Sequence, residues 1–152
     1  MRKKVLLIED REIVITGISD SLKRKSNGEI EVDSATSFYK AKELLSQKHY
    51  DVISLDLNMA RIDSDPCFDE LPGTTLNGWL FLKNYIFIQQ APFKDTCANT
   101  KIFLYSGYID ELRAEIRNLP QADEQRKWLN RVELVNKVTG EYSTITNKIL
   151  TA

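Results

Sequence analysis

With 152 residues, 21 Lys plus Arg and 22 Asp plus Glu, the chain has a formal charge of −1, so no net field recruits nucleic acid or an anionic membrane. That length predicts one domain, residues 1–152, with a full core. The basic start Met1–Lys4 precedes only Val5–Ile8 before Glu9 and Asp10, too little for a signal-peptide core, and no apolar run nears the roughly 18 residues of a membrane span. Val5–Ile8 reads as a first strand. Ile13, Val14, Gly17, Ile18 and Leu22 then fall at helical spacing, and Asn27-Gly28 marks a turn.

Ile30–Ala35 reads as a second strand with Glu31 and Asp33 facing outward, and Phe38, Ala41, Leu44 and Leu45 form the apolar face of the next helix. Tyr50–Leu57 is the third strand. Residues 58–75 hold turn formers without a sustained period and read as a long loop. Leu76–Gln89 regains helical character, offering Leu80, Tyr85, Phe87 and Ile88 for burial, and Ile102–Tyr105 is the fourth strand. Asp110–Arg131 reads as two helical pieces divided at Pro120, with extended connections near 118–131. Val132–Val135 is the fifth strand and Tyr142–Leu150 a closing helix. Short apolar runs alternating with amphipathic stretches point to βαβ units in a doubly wound, five-stranded parallel sheet, an α/β/α sandwich. Such folds bind ligands beyond the carboxyl ends of the strands, where connectivity reverses.

Several strands end on chemistry. Asp51-Val52-Ile53-Ser54-Leu55 runs into Asp56, and Val5–Ile8 runs into Glu9-Asp10. Three crowded carboxylates repel, and one would take a proton unless a cation intervened. Mg²⁺ suits such a site, with Asp10 and Asp56 as direct ligands, Glu9 acting through water and Asn58 offering its backbone carbonyl. Ser106-Gly107 and Lys137 follow the fourth and fifth strands. Asp56 can attack phosphorus to give an acyl phosphate, with Lys137 and Mg²⁺ neutralising the equatorial oxygens, Ser106 supplying a hydroxyl and Gly107 an approachable N–H.

These residues resemble the receiver domains of two-component response regulators. The resemblance rests on Val5–Asp10, Asp51–Met59, Asn77-Gly78, Ile102–Gly107 and Val132–Lys137, and spans nearly the whole chain. It implies a flavodoxin-like fold, Asp56 as phosphoacceptor, Glu9 and Asp10 as Mg²⁺ ligands, Ser106 as switch hydroxyl and Lys137 as phosphate contact. The implied partners are a sensor histidine kinase or a histidine phosphotransfer protein. Five features depart from the pattern. Asp56 to Gly78 spans 22 positions and Ser106 to Lys137 spans 31, both longer than usual. Leu134 stands where the family has an aromatic, Val138 where a proline follows the lysine, and Ala60 where a proline often follows Met59.

Simpler readings compete. Asp10 could cap a helix, Asp56 and Ser106-Gly107 could be turn residues, and Lys137 a surface lysine. Their joint register at strand ends favours a site. His49 reads as a solvated loop residue, and the acidic run Asp63–Glu70 fails as a calcium loop because of Pro66 and Phe68. Five bases against five acids between Asp110 and Arg131 read as a solvated face, and Trp79 and Trp128 as packing residues. Cys67 and Cys97 lack metal or disulfide spacing, which suits a reducing, cytoplasmic setting.

The expected function is a stand-alone phosphoacceptor signalling by protein contacts, without an output domain after residue 150 and without nucleic-acid binding or membrane insertion. Its chemistry would be self-phosphorylation and slow autodephosphorylation rather than enzymatic turnover. A phosphorylation-independent adaptor is the alternative. An aspartyl-phosphate hydrolase is disfavoured, because Asn58 stands where the haloacid dehalogenase-like phosphatases carry a general acid.

Overall fold

The computed structural model describes residues 2–59, 76–87, 97–117, 127 and 129–152. Five strands, β1 (Lys3–Ile8), β2 (Ile30–Ala35), β3 (Val52–Leu55), β4 (Lys101–Ser106) and β5 (Val132–Asn136), form one parallel sheet in the order β2-β1-β3-β4-β5. Helices α1 (Glu12–Ser26), α2 (Phe38–Gln47), α3 (Asn77–Leu82), α4 (Ile109–Arg117) and α5 (Ser143–Thr151) complete the flavodoxin-like α/β fold. The order reverses between β1 and β3, so the crevice for a ligand opens there.

Alternate strand residues feed two cores, because successive side chains leave opposite faces of a strand. Leu6, Ile8, Ile53, Leu55, Ile102 and Leu104 pack against α2, α3 and α4. Val5, Leu7, Val52, Phe103, Tyr105 and Val135 pack against α1 and α5. Both faces are covered, which is why these strands read as continuous apolar runs.

Local chemistry sets the helix ends. Ser37 Oγ accepts the Lys40 N–H (3.1 Å) and caps α2, while Asn27 (φ 51°) and Gly28 (φ 82°) turn the chain out of α1. Glu141 accepts the Thr144 N–H (2.9 Å) at the start of α5, and Lys3 Nζ donates to the carbonyls of Ile149, Leu150 and Ala152 at its end.

Four sequence expectations are corrected. The third strand is shorter than Tyr50–Leu57, because Asp56 takes the N–H of Asn58 and turns the chain away from the ladder. The helix from Leu76 begins at Asn77 and widens into a π turn over Lys83–Phe87, which keeps Ile86 and Phe87 buried; Ile88 and Gln89 lie outside the described residues. Ile13 is 66% exposed, since the buried face of α1 follows Val14, Ile15, Ile18 and Leu22. Glu31 and Asp33 are half-buried and share Lys48 Nζ, at 2.6 Å each. Pro120, Trp128, the 60–75 loop and most of 118–131 lie outside the described residues.

Candidate functional site at the carboxyl edge of the sheet

Three strand ends close in the same way. A side-chain oxygen there accepts the backbone N–H two residues ahead: Glu9 Oε1 from Arg11 (3.3 Å), Asp56 Oδ1 from Asn58 (3.2 Å) and Ser106 Oγ from Tyr108 (3.2 Å). Such bonds end a strand and hold the side chain over the edge of the sheet. Hydrogen bonds along the edge, from the Glu9 N–H to Ala35 O and from the Asp56 N–H to Ile8 O (3.0 Å each), set the two acids on either side of the crevice.

Glu9 and Asp56 are buried and Asp10 is half-buried, and one oxygen from each lies within 4.8 Å of the others. Asp10 does not cap α1; Arg11 occupies the N-cap position, without a side-chain bond. The three acids could therefore hold a metal ion. They offer hard oxygen donors, and a divalent cation would relieve their mutual repulsion, so the donor set fits Mg²⁺.

Lys137 reaches this cluster from the turn after β5. Its N–H donates to Ser106 O (3.0 Å), and its Nζ lies 2.6 Å from Glu9 Oε2 and 3.3 Å from Asp56 Oδ2. Burial, then the Asp56 charge, push the Glu9 carboxyl up to about 7, against the pull of Lys137. One ammonium thus serves two buried carboxylates with a third nearby. The arrangement is short of positive charge.

Of the other sequence candidates, Ser106 is fully buried at the end of β4, opposite Asn136, with its hydroxyl on the Tyr108 N–H. Asn58 is half-buried beside Asp56 through the bond already described. A Cβ at Gly107 would meet no other atom of the chain within 4 Å. His49 is exposed near Asp51, Trp79 is buried, and Asp110, Glu111, Arg113, Glu115 and Arg117 are exposed on α4. Cys97 is buried and its thiol pushed up to about 11 by that burial, which leaves it inert.

Two residues went unnoticed in the sequence as parts of the site's support. Buried Asn77 grips the backbone of Met59, its Oδ1 accepting the Met59 N–H (2.8 Å) and its Nδ2 donating to Met59 O (2.7 Å). The ring centroid of Tyr105 lies 5.3 Å from Lys137 Nζ, and the Tyr105 hydroxyl donates to Glu141 O (3.1 Å). The pair Asn77-Gly78 carried a signal, as a polar residue and a glycine opening an apolar helix. Gly78 has a steric reason: a Cβ there would sit 2.1 Å from Asp56 O and 2.9 Å from Leu57 Cα.

No protein-family model and no curated protein matches the sequence. Solved structures do match the fold. The phosphorylated cyanobacterial phytochrome response regulator RcpA is 20% identical with a TM-score of 0.61, over 98% of this chain and 89% of that one. Chemotaxis response regulator CheY4 of Vibrio cholerae is 18% identical with a TM-score of 0.59, over 99% and 98%. A response regulator from Thermotoga maritima is 13% identical with a TM-score of 0.60, over the full length of both chains. Among the described residues no helix is long and apolar enough to cross a membrane. The chain has the fold of CheY-like response regulator receiver domains.

Proposed function

We propose that the chain is a receiver that accepts a phosphoryl group on Asp56 from a phosphohistidine protein, a sensor histidine kinase or a histidine phosphotransfer protein, and signals through protein contacts. The observation that carries this reading is Lys137 Nζ held between Glu9 and Asp56, beside Asp10, where the strand order reverses. The phosphorylated form in which the cyanobacterial RcpA was solved supports it for the shared fold.

In the proposed reaction an Asp56 oxygen bonds to phosphorus as the donor's P–N bond breaks, and the electron pair leaves with the imidazole nitrogen. Lys137 follows the charge from the carboxylates to the phosphoryl oxygens. Ser106, next to the lysine strand, is the hydroxyl donor to that group, since accepting the Tyr108 N–H does not use its own O–H. Asp10 and Asp56 would ligate Mg²⁺ directly, with Glu9 acting through water and the Asn58 carbonyl as a further ligand. Mg²⁺ supplies charge neutralisation at the equatorial oxygens when bound. Asn58 offers no general acid, which favours slow loss of the phosphoryl group over turnover.

Acetyl phosphate labelling with and without Mg²⁺, read by intact mass on wild type and Asp56→Asn, tests this. One phosphoryl adduct that requires both Mg²⁺ and Asp56 is expected. A second reading, a phosphorylation-independent adaptor, draws on Leu134, which packs half-buried against the core where the family has an aromatic. Folded protein that binds Mg²⁺ but takes no label would favour the adaptor.

A further inference from the structure

We propose that Asn77 is a positioning residue for the metal site, aiming the backbone carbonyl of Asn58. The inference rests on the reading of Glu9, Asp10, Asp56 and the Asn58 carbonyl as an Mg²⁺ site.

The Asn58 carbonyl and the Met59 N–H belong to one peptide unit. That unit is planar, and in its trans form the C=O and N–H point in opposite directions. Fixing the N–H therefore fixes the carbonyl. Asn77 Oδ1 accepts this N–H at 2.8 Å, and Asn77 Nδ2 donates to the Met59 carbonyl at 2.7 Å, so both polar groups of Met59 are held by one side chain. Only one orientation of the amide satisfies both bonds, because its oxygen accepts and its nitrogen donates. Asn77 and Met59 are 4% and 2% exposed, so water does not compete with the grip.

The other end of the segment is held as well. The Asn58 N–H is on Asp56 Oδ1 at 3.2 Å, and the Gly78 N–H is on Leu57 O at 2.9 Å. Residues 56–59 are thus tied to the opening of α3 by backbone and side-chain bonds. The Asn58 carbonyl is turned away from Asn77, and rotating it would break a buried hydrogen bond. A carbonyl held in this way ligates a cation without first paying for its own orientation.

The test measures Mg²⁺ itself. Calorimetric titration of Mg²⁺ into wild type, Asn77→Ala and Ile149→Val separates the proposed role from general stability, since Ile149 lies on α5 in the other core. Asn77→Ala is expected to weaken Mg²⁺ binding roughly tenfold, the low end for loss of a group that orients a ligand. Ile149→Val is expected to bind as wild type does. Carbonyl-carbon NMR gives a direct signature: the Asn58 resonance moves on Mg²⁺ saturation in wild type and moves much less in Asn77→Ala. If Asn77→Ala does not fold, Asn77→Asp keeps the acceptor for the Met59 N–H and is expected to retain the Asn58 response. Mg²⁺ affinity and an Asn58 shift unchanged in folded Asn77→Ala overturn the assignment alone, as does loss of the Asn58 response in Asn77→Asp. Wild type that binds no Mg²⁺ overturns the metal-site reading and this assignment with it.

Discussion

Lys137 Nζ lies 2.6 Å from Glu9 Oε2, a part-buried contact between residues 128 positions apart. The same ammonium also faces Asp56. Removing one partner of such a group strands the other charges in a poorly solvated place.

Lys137→Met should therefore destabilise the fold by about 3 kcal/mol near pH 8, above the Glu9 value of about 7, where the lysine pairs with a charged Glu9 in the wild type. The loss should shrink near pH 5.5, because Glu9, raised to about 7, already carries a proton there and leaves the lysine less charge to pair with. Urea unfolding at the two pH values checks this. An equal loss at both would mean that the pair is not electrostatically coupled.

Glu9 also sets a pH dependence for metal binding. Its folded-state pKa of about 7 stands above the ordinary 4.5, so the stability that its protonated form contributes is complete below about pH 4.5 and is lost as pH rises through about 7. Mg²⁺ competes with that proton. Affinity for Mg²⁺ should rise between about pH 6 and 8, with proton release on binding near pH 6.5. Calorimetry in buffers of different ionisation enthalpy measures both quantities.

Gly78→Ala should strain the phosphoacceptor segment, since its Cβ would fall 2.1 Å from the carbonyl oxygen of Asp56. Overpacking of this kind costs about 1–3 kcal/mol. Thermal unfolding should show that loss. Labelling of Asp56 by acetyl phosphate should slow in the surviving folded protein, because the atom displaced belongs to Asp56 itself.

Tyr105→Phe keeps the ring near Lys137 and removes the hydroxyl that bonds Glu141 O. A loss of about 1 kcal/mol is expected, the usual net worth of one hydrogen bond. Labelling should persist. Tyr105→Leu, which also removes the ring, should slow labelling, because Lys137 loses an aromatic face that helps hold it. Chemical denaturation and a labelling time course distinguish the two variants.

The strand–helix alternation, the parallel sheet and the acidic strand ends were all readable along the chain. Apolar periodicity, turn residues and a carboxylate at the end of a buried run are properties of neighbouring residues. The same local signals mislead where packing chooses between equal candidates. Ile13 and Ile15 are alike in type, yet the first is exposed and the second buried, because the position of α1 on β1 and β3 selects the face. Asp10 looked as good a helix cap as a ligand, and only the start of α1 at Glu12 removed it from the N-cap position.

By itself, the sequence determined which residue types stand at the ends of β1, β3, β4 and β5, since each follows from a short run of its own. Tertiary structure decided which of them meet. Lys137 is 128 positions from Glu9 and 81 from Asp56, and Asn77 is 18 from Met59, so these bonds depend on strand order and on where the long connections return. A buried amide or ammonium is recognised by the partners that satisfy it, and those partners come from other segments of the chain.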